Sequence, residues 1–405
     1  MEKTRLSEQA AGRSETQLSF RSLFAHIWDF ADDHIDRLMD SVGQMGLNTI
    51  CLASTYHSGW FIHPSNPRHR AFMTEGSVCY FHPHHAIYRK TKLRPLVSQI
   101  VKDKDWFGEV GKRLDHGLRL VSWTIGAHNT RLGLLYPQLT QENVYGDRIP
   151  HALCFANDDV REYLKALCRD LATNYPLWGI QLESFGWMGF THGHHHERDL
   201  VGLNPLEQEL MALCVCSACS KKAVTAGIEI QTVKAMAKNI LDGTFREAPQ
   251  RPKNHPRTMA ELESQSPEIK RFNKWRKKCS DEFINEIKSE SLKGTSCRLL
   301  LQSPFDSALV NVAAGFACGA YQKTPEQTLR ICRTARAALP KHWKGLFQCF
   351  IQLGVGVPES EEQLREIIEV VRDGGCNGIN FYNYSESPPK MLGWLENVLP
   401  GFANV

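Results

Sequence analysis

The sequence predicts an α/β fold, a (β/α)8 barrel with long loops after its strands and a helical insertion after the fourth strand. Short apolar runs bounded by turn residues recur eight times, and helical patterns follow most of them. Consecutive strands joined by helices lie parallel, because parallel neighbours need a crossover of about a dozen residues or more. Eight such units close into a barrel. An open doubly wound sheet is disfavoured, since the chain has no glycine-rich phosphate turn and no dinucleotide or Walker fingerprint.

In the first half of the chain, apolar runs predict four strands. Residues 23–30 form the first run, and the following stretch 33–45 places apolar residues at helical spacing until Gly46 ends the helix. A helix over 160–174 begins after two aspartates, whose charges complement the positive end of the helix dipole. Long loops follow the second and third strands. The other predicted elements of this half are strand 48–53, helix 96–116, strand 118–125 and strand 178–183.

The second half departs from simple alternation and then returns to it. Residues 205–241 have a helical pattern, 242–266 form an exposed loop rich in Pro, Lys and Glu, and 267–292 form a long charged helix. Thr324 followed by Pro325 is typical of an N-cap and a first-turn proline. The elements that complete the barrel are strand 298–302, a strand within 309–320, helix 324–339, strand 346–353, helix 360–373, strand 378–382 and helix 389–398.

A single barrel domain is predicted over 21–405, with 205–292 as a helical insertion after the fourth strand. Barrels tolerate long inserts between their units, so the insertion does not require a second domain. Residues 1–20 are expected to form a disordered leader, because the polar and charged start of the chain contains no apolar run that could pack.

The composition excludes several classes of protein. Of 405 residues, 42% are hydrophobic and 23% are charged, which is ordinary for a globular protein. Lysine and arginine number 48 against 44 acidic residues, and this net charge of +4 does not indicate a nucleic-acid partner. No apolar run reaches the roughly 18 residues that cross a membrane. Without a secretory signal, thirteen cysteines are expected to be reduced thiols in a cytoplasmic protein, and formation of a homo-oligomer stays open.

Glu183 is the first candidate for catalysis. It ends the fourth predicted strand after the apolar residues Ile180 and Leu182, and the catalytic residues of such barrels project from the C-terminal ends of the strands. A carboxyl group held against apolar neighbours has a raised pKa and can act as a general acid. The alternative is a solvated loop carboxylate without a catalytic part.

Aromatic and histidine side chains on the predicted rim are candidates for substrate binding. The loop after the fourth strand carries His192, His194 and His195, which can contact sugar hydroxyls, bind a metal ion, or be solvated. Adjacent histidines lack the i, i+4 spacing of a helical metal pair, so substrate contact is favoured. Rings on the long loop after the second strand can stack on a sugar, or can form a packed lid without a ligand. The other predicted binding residues are His57, Trp60, Trp123, His128 and Tyr382.

Five short motifs carry a resemblance to a known group of proteins. They are Cys79-Tyr-Phe-His-Pro, Leu182-Glu-Ser, Thr191-His-Gly-His-His-His-Glu, Cys214-x-Cys216-x-x-Cys219 and Phe272-Asn-Lys-Trp-Arg276. Together they resemble a group of TIM-barrel proteins that are glycoside-hydrolase-like, many of them described as amylase-like barrels. The resemblance covers the chain from about residue 20 to its end. It implies a sugar-acting barrel with Glu183 in a catalytic position.

The carboxylates differ from those of the large clan of retaining barrel glycosidases. In that clan the acid/base glutamate follows an asparagine at the end of strand four, and the nucleophile glutamate ends strand seven. Here Leu182 precedes Glu183, and Glu359 lies only in the turn after strand seven. Glycosidic cleavage usually takes two carboxylates, so the second must come from another rim loop. Asp306 is the first candidate, although it can instead cap a turn, and Glu386 is the next.

Three cysteines, Cys214, Cys216 and Cys219, lie within six residues of one another. They form half of a structural zinc site, which is complete only if a fourth ligand arrives from elsewhere in the chain. The alternatives are that they pack as small apolar residues, or that two of them pair under oxidation. They are expected to be reduced and away from the reaction centre. The reaction itself is expected to require no cofactor.

Three functions follow from these observations. The first is cleavage of a glycosidic bond in a small-molecule carbohydrate or glycoside, with Glu183 as general acid/base. The second is a metal-dependent isomerase or lyase that acts on a sugar-like substrate through the 192–197 loop and His57. The third is a non-catalytic carbohydrate-binding barrel, which keeps the aromatic cleft but lacks a working second carboxylate. Neither a nucleic acid nor a membrane is expected as a partner.

Overall fold

The computed structural model describes residues 17–114, 117–191, 200–302 and 307–402. Within these ranges, eight parallel strands form a closed barrel, which confirms the predicted (β/α)8 fold. The barrel is closed because its first strand pairs with both the second and the last. The order of strands around the barrel is their order in the chain, as expected when each crossover leads to the next strand. The predicted leader 1–20 lies almost entirely outside the described residues.

The barrel strands are short, and further strand pairs build the rim loops. The hairpin partners are β3 with β4 and β7 with β8, while β5 adds to β2 antiparallel. In chain order the strands are β1 (Phe20–Ala25), β2 (Thr49–Tyr56), β3 (Trp60–Ile62), β4 (Ala71–Met73), β5 (Val78–Cys79), β6 (Arg119–Ile125), β7 (Thr140–Glu142), β8 (Arg148–Leu153), β9 (Gly179–Glu183), β10 (Arg298–Gln302), β11 (Gly315–Gly319), β12 (Leu346–Gln352) and β13 (Gly378–Tyr382). The barrel consists of β1, β2, β6 and β9 to β13.

Helices surround the barrel, and five of them lie between β9 and β10, where the helical insertion is predicted. No helix in the described ranges combines the length and the apolar character that crossing a bilayer requires. In chain order the α-helices are α1 (Ile27–Asp32), α2 (Ile35–Gln44), α3 (Trp106–Gly111), α4 (Thr130–Leu135), α5 (Asp158–Asn174), α6 (Pro205–Met211), α7 (Ser217–Thr225), α8 (Ile230–Glu247), α9 (Met259–Gln265), α10 (Pro267–Glu286), α11 (Pro325–Ala337), α12 (Glu361–Asp373) and α13 (Pro389–Val398).

Side-chain caps fix the starts of three helices that pack on the barrel, α5, α11 and α12. The Asn157 side chain accepts a hydrogen bond from the Asp159 backbone N–H at 3.0 Å, and Ser360 Oγ accepts one from the Gln363 N–H at 3.2 Å. Thr324 caps α11 in the same way. Each cap satisfies a backbone donor that has no partner within the helix. These helices therefore begin within two residues of where the sequence predicts them.

Three segments differ from the predicted elements. The apolar run 23–30 is divided at His26 into the end of β1 and the helix α1, because hydrophobic periodicity cannot separate a short buried strand from a buried helix. Among the described residues of the predicted helix 96–116, the helical elements are α3 and a short 3-10 turn. The predicted loop 242–266 contains the last turn of α8, which extends to Glu247, and the whole of α9.

The barrel interior has a polar layer beneath an aromatic one. Gln348 Nε2 donates to Gln181 Oε1 at 3.0 Å inside the barrel. Phe24 lies on the rim side of this pair and packs edge-on against Trp123 and Phe350, with ring centroids 4.8 and 5.1 Å away. Edge-to-face contacts at this separation are favourable for aromatic rings. The aromatic layer therefore forms a floor for any cavity at the rim.

A buried polar network joins the first barrel strand to the last. His26 directly follows β1, and its Nδ1 lies 2.7 Å from the Oγ of Ser385, which follows β13. Ser385 donates to the Asp29 carboxylate at 2.8 Å, and the His26 backbone N–H donates to the same carboxylate at 2.8 Å. Burial is the largest influence on both ionisable groups: it raises the pKa of Asp29 to about 7 and lowers the pKa of His26 well below its ordinary value.

We expect Asp29 to make the folding stability depend on pH. Its pKa of about 7 in the folded state lies above the unfolded value, so its contribution is complete below about pH 4 and is lost as the pH rises through about 7. A shift of about three units corresponds to roughly 4 kcal/mol of unfolding free energy. Asp29→Asn should flatten this part of the profile in urea unfolding, because an amide does not titrate.

The control is Asp40→Asn, which changes an exposed carboxylate of α2 and should leave the profile unchanged. An unaltered loss of stability between about pH 4 and pH 7 in Asp29→Asn, relative to the parent protein, would assign the dependence to another group.

Candidate active site

A cavity of about 490 Å³ opens at the C-terminal ends of the barrel strands, which is within the size range of small-ligand sites. Five barrel strands end on a residue that lines it. In a parallel barrel all C-terminal strand ends meet at one rim, so the fold itself brings these side chains together. The strand-end residues are Tyr56, Glu183, Gln302, Gln352 and Tyr382, and the others that line the cavity are Phe24, His57, Trp123 and Tyr321.

Glu183 is the single carboxylate among the described residues that line this cavity. Trp123 Nε1 donates a hydrogen bond to Glu183 Oε2 at 2.6 Å, and the side chain of Gln302 also hydrogen-bonds to the carboxylate. Burial is the largest influence and raises the pKa of Glu183, while the two hydrogen bonds favour the charged form and lower it in part. The net direction is upward, as the apolar residues before Glu183 in the sequence predict.

The chain turns sharply after Glu183. Ser184 has φ +57°, a left-handed conformation that is uncommon for residues other than glycine. Beyond the turn, Trp187 lines a second cavity of about 640 Å³, which also contacts Glu183. Helix α10 contributes Lys277 and Asp281 to the lining of this second cavity. Glu183 therefore lies between two adjoining cavities, one inside the rim and one against the insertion.

Amide and phenol groups form the wall made by the last two barrel strands. Gln352 ends β12, the seventh barrel strand, so an amide occupies the position where retaining barrel glycosidases carry a nucleophile glutamate. The hydroxyls of Tyr56 and Tyr382 lie 3.5 Å apart across the cavity. Burial raises the pKa of Tyr382 to about 12, so this phenol is protonated at neutral pH and can donate a hydrogen bond to a ligand.

The predicted binding residues on the loops after the second and third barrel strands lie at different distances from the cavity. His57 lines the cavity and stacks on Tyr56 with ring centroids 4.5 Å apart. His128 stacks on the other side of His57 at 4.4 Å, so it lies one ring behind the cavity wall. Trp60 lies on β3 with 71% of its surface exposed, and it is not among the described residues that line either cavity.

Glu386 lies near the rim but at the surface. Its Oε2 accepts a hydrogen bond from Asn383 Nδ2 at 2.7 Å, and its charge adds to the effect of burial on the pKa of Tyr382. Glu386 is not among the described residues that line either cavity. The other predicted site residues, which are His192, His194, His195 and Asp306, lie outside the described residues.

The set of residues predicted from the sequence omits five that line the cavity, Phe24, Tyr56, Gln302, Tyr321 and Gln352. Three of these residues could have been predicted from their place at the end of a strand. Gln302, Gln352 and Tyr56 are the last residues of barrel strands, and strand ends form the site in this fold. The predicted second strand stops three residues before Tyr56, which moves that side chain onto the loop. A neutral amide such as Gln352 suggests no chemistry until its place in the barrel is known.

A cluster of four buried thiols, here called the rim thiol cluster, lies at the base of the insertion. Cys154 follows β8, and its Sγ lies 3.8, 3.5 and 3.4 Å from those of Cys214, Cys216 and Cys219. All four Sγ atoms lie within 4.8 Å of one another. Thiolates bound to one zinc ion at about 2.3 Å are about 3.8 Å apart. Cys154 is the fourth ligand that the sequence alone does not identify, so these four residues could hold a zinc ion.

Arg276 of α10 places a positive charge beside the rim thiol cluster. Its guanidinium carbon lies 4.6 Å from the centre of the Trp187 ring, and that ring contacts Phe155 at 4.2 Å. Four thiolates around a divalent ion carry a net charge of about −2, which a nearby cation offsets. Because Trp187 also lines the second cavity, the thiol cluster and the loop after Glu183 share one packed contact.

No protein-family model and no curated protein matches the chain. The structure is similar to α-L-fucosidase isoenzyme 2 from Paenibacillus thiaminolyticus, with a TM-score of 0.56 and 9% identity over 95% of this chain and 49% of that one. The PgaB (BpsB) glycoside hydrolase domain from Bordetella bronchiseptica gives 0.54 and 15% over 94% of this chain and 99% of that one. A β-galactosidase from Bacillus circulans sp. alkalophilus gives 0.56 and 11% over 96% of this chain and 56% of that one.

These similarities establish a shared barrel fold, which confirms the fold implied by the sequence resemblance. The chain spans about half the length of the fucosidase and of the galactosidase. At 9–15% identity the activities of these proteins cannot be assigned to this chain, because one barrel fold hosts many unrelated reactions. What this chain does must be argued from its own site.

We expect Trp123→Phe to raise the pKa of Glu183 further. The change keeps an aromatic ring but removes the N–H that donates to Glu183 Oε2 at 2.6 Å. A hydrogen bond to a carboxylate favours its charged form, so its loss should raise the pKa of Glu183. The measurement is a pH titration of the carboxyl signal by difference infrared spectroscopy, assigned through Glu183→Gln.

The control for this titration is Trp178→Phe, since Trp178 packs on Phe20 at the other end of the barrel and should leave the Glu183 signal unchanged. A lowered or constant pKa of Glu183 in Trp123→Phe would contradict the hydrogen-bond assignment.

Proposed function

We propose that the protein cleaves a glycosidic bond of a small carbohydrate or glycoside, with Glu183 as general acid/base. The observation that carries this proposal is a carboxyl with a raised pKa at the end of a barrel strand, in a cavity of ligand size. A general acid must keep its proton near neutral pH, and a raised pKa provides this. The glycosidases among proteins of similar structure support the substrate class.

The proposed reaction uses Glu183 to protonate the glycosidic oxygen as its bond to the anomeric carbon breaks. The departing sugar leaves as a neutral alcohol, and water adds to the anomeric carbon after giving its proton to a second carboxylate. Gln352 cannot form a glycosyl ester as a glutamate does, so direct attack by water is the favoured route. Glu386 and Asp306 are the proposed sources of the second carboxylate.

Sugar recognition is proposed for the rings around the cavity. The rings of Trp123 and Tyr56 border the cavity and can contact the C–H groups of a sugar, while the Tyr382 hydroxyl and His57 can hydrogen-bond to sugar hydroxyls. The two adjoining cavities meet at Glu183. This arrangement suits a substrate with one sugar on each side of the cleaved bond.

A carbohydrate-binding barrel without catalysis is the second candidate. It is favoured by one observation: among the described residues, Glu183 is the single carboxylate in the cavity where the other acid or base would be needed. The isomerase or lyase alternative depends on the 192–197 loop, which is outside the described residues. Binding without turnover on a panel of oligosaccharides and aryl glycosides distinguishes the second candidate from the proposed enzyme.

Glu183→Gln should lower turnover of a natural glycoside by about 100-fold to 10,000-fold, because positioned proton transfer contributes that much to rate. Glycosides with a fluoride or dinitrophenolate leaving group need no protonation and should retain most of their rate. Binding of the unreacted sugar, measured by calorimetry, should persist. In the parent protein, activity should fall at alkaline pH, as Glu183 loses its proton above its raised pKa.

The matched control is Glu369→Gln, since Glu369 is exposed on α12 and should leave every rate unchanged. Near-normal turnover of a natural glycoside by Glu183→Gln would show that this glutamate is not catalytic. Equal losses on activated and natural substrates would instead assign Glu183 a role other than the proton donor. Glu386→Gln and Asp306→Asn then decide which carboxylate acts on water.

We also propose that the rim thiol cluster holds a structural zinc ion and that the reaction needs no cofactor. The thiol spacing and the adjacent Arg276 support the zinc site. The ion would join the end of β8 to the start of α7, and so connect the insertion to the barrel. Zinc-binding thiols must be reduced, so the proposal places the protein in a reducing compartment such as the cytoplasm.

Cys154→Ser should remove one zinc ion per chain, measured by mass spectrometry of the metal content. It should lower the melting temperature while turnover below that temperature is retained, because the thiols lie outside the cavity that contains Glu183. Cys168→Ser, which changes a buried cysteine outside the cluster, should keep the zinc. A folded Cys154→Ser protein with its full zinc content would contradict the proposal, and so would a parent protein free of zinc.

A further inference from the structure

A second group of thiols lies on the other side of the barrel, far along the chain from the first. Cys318 lies on β11 and Cys349 on β12, and the two are direct partners in the parallel strand register. Cys332 lies on α11. Their three Sγ atoms lie within 4.8 Å of one another, and each residue is at most 2% exposed. Two adjacent strands and the helix packed on them therefore bring three thiols to one point.

The thiols face the helix layer and not the barrel interior. Neighbouring side chains of a strand point to opposite faces, and Gln348, beside Cys349, points inward to its hydrogen bond with Gln181. Cys349 therefore points outward, and Cys318 shares its face because the two are register partners. The site lies between the strands and α11. It is separate from the rim cavities and from the rim thiol cluster.

A fourth thiol approaches the same point. Cys376, which precedes β13, lies near enough to the thiols of Cys318 and Cys332 for them to raise its pKa after the larger effect of burial, although its Sγ is not one of the three that lie within 4.8 Å of one another. The chain can come this close because residue 374 is glycine: a Cβ there would lie 2.4 Å from the Cβ of Cys332, which is a clash. The close approach thus depends on a residue without a side chain. The wall thiol cluster is the set of Cys318, Cys332, Cys349 and Cys376.

Packing alone does not account for this convergence. A buried thiol behaves as a small apolar side chain, and Cys51, Cys79 and Cys168 fill such places without belonging to a described thiol cluster. Seven of the thirteen cysteines instead fall into two groups of mutually close thiols, with Cys376 beside the second group, and the first group has the spacing of a tetrathiolate zinc site. Soft thiolate ligands select zinc and cuprous ions. Three thiols suit a cuprous ion, and the fourth completes a site for zinc.

We propose that the wall thiol cluster is a second binding site for a thiophilic metal ion of closed d-shell, zinc or cuprous. Binding replaces the thiol protons of the ligating cysteines, which pass to solvent, and forms one metal–sulfur bond for each. No electron is transferred. The ion would connect β11, α11, β12 and the chain that enters β13, which are four segments of the last barrel units. The proposal is independent of the proposed glycosidase activity.

The test uses the full chain, reduced and freed of metal, and titrated with Co²⁺ in the absence of oxygen. Thiolate ligands give cobalt an intense sulfur-to-metal charge-transfer absorption, which histidine ligands do not give, so the 192–197 loop does not contribute. We expect two equivalents of cobalt with this absorption. Cys349→Ser and Cys154→Ser should each bind one, and Cys168→Ser, a buried thiol outside both clusters, should bind two. Circular dichroism confirms that each variant is folded.

A parallel titration with cuprous ion against a chromophoric chelator distinguishes the two ions. Saturation at one cobalt, followed by a cuprous equivalent that Cys349→Ser abolishes, would support the proposal and assign the site to copper. One equivalent in both titrations of the parent protein, abolished by Cys154→Ser, would overturn it. This last result needs no variant of the wall thiol cluster, so the proposal can fail even if Cys349→Ser does not fold.

Discussion

Closure of the barrel depends on the pairing of β1 with β2 on one edge and with β13 on the other. Without this pairing the parallel sheet would keep two open edges, and the ends of its strands would spread along a line. With it, the C-terminal ends of β2, β9, β10, β12 and β13 meet around one cavity. The buried network of His26, Asp29 and Ser385 adds a side-chain connection at the same junction. The positions of the strand-end residues that line the cavity follow from this closure.

Glu183 is poised between two opposed influences within that rim. Burial against aromatic walls disfavours its charge, whereas the hydrogen bonds from Trp123 and Gln302 favour it. Burial is the larger influence, so the net effect raises the pKa of Glu183, as a general acid requires. The amide of Gln352, opposite in the barrel, adds no charge that would shift this balance.

Thiols recur where distant parts of the chain must meet. The rim thiol cluster joins the loop after β8 to the insertion, and Arg276 and Trp187 extend that contact to the wall of the second cavity. The wall thiol cluster joins the last barrel units on the opposite face. In each case, residues from separate elements converge within the reach of one metal ion. Such sites would couple metal binding to folding, because neither set exists in the unfolded chain.

The sequence by itself determined the fold class, the eight strands and the rim position of Glu183, because hydrophobic period, caps and strand–helix alternation are local signals. It also predicted three of the four residues of the rim thiol cluster, since Cys214, Cys216 and Cys219 are neighbours in the chain. Only the tertiary structure decided that Cys154 completes this set, that four cysteines spread over 318–376 converge, and that Gln352 and Tyr56 line the cavity. Each of these contacts joins residues that are far apart in sequence. Which residues come into contact depends on strand register and barrel closure, and local sequence patterns do not specify either.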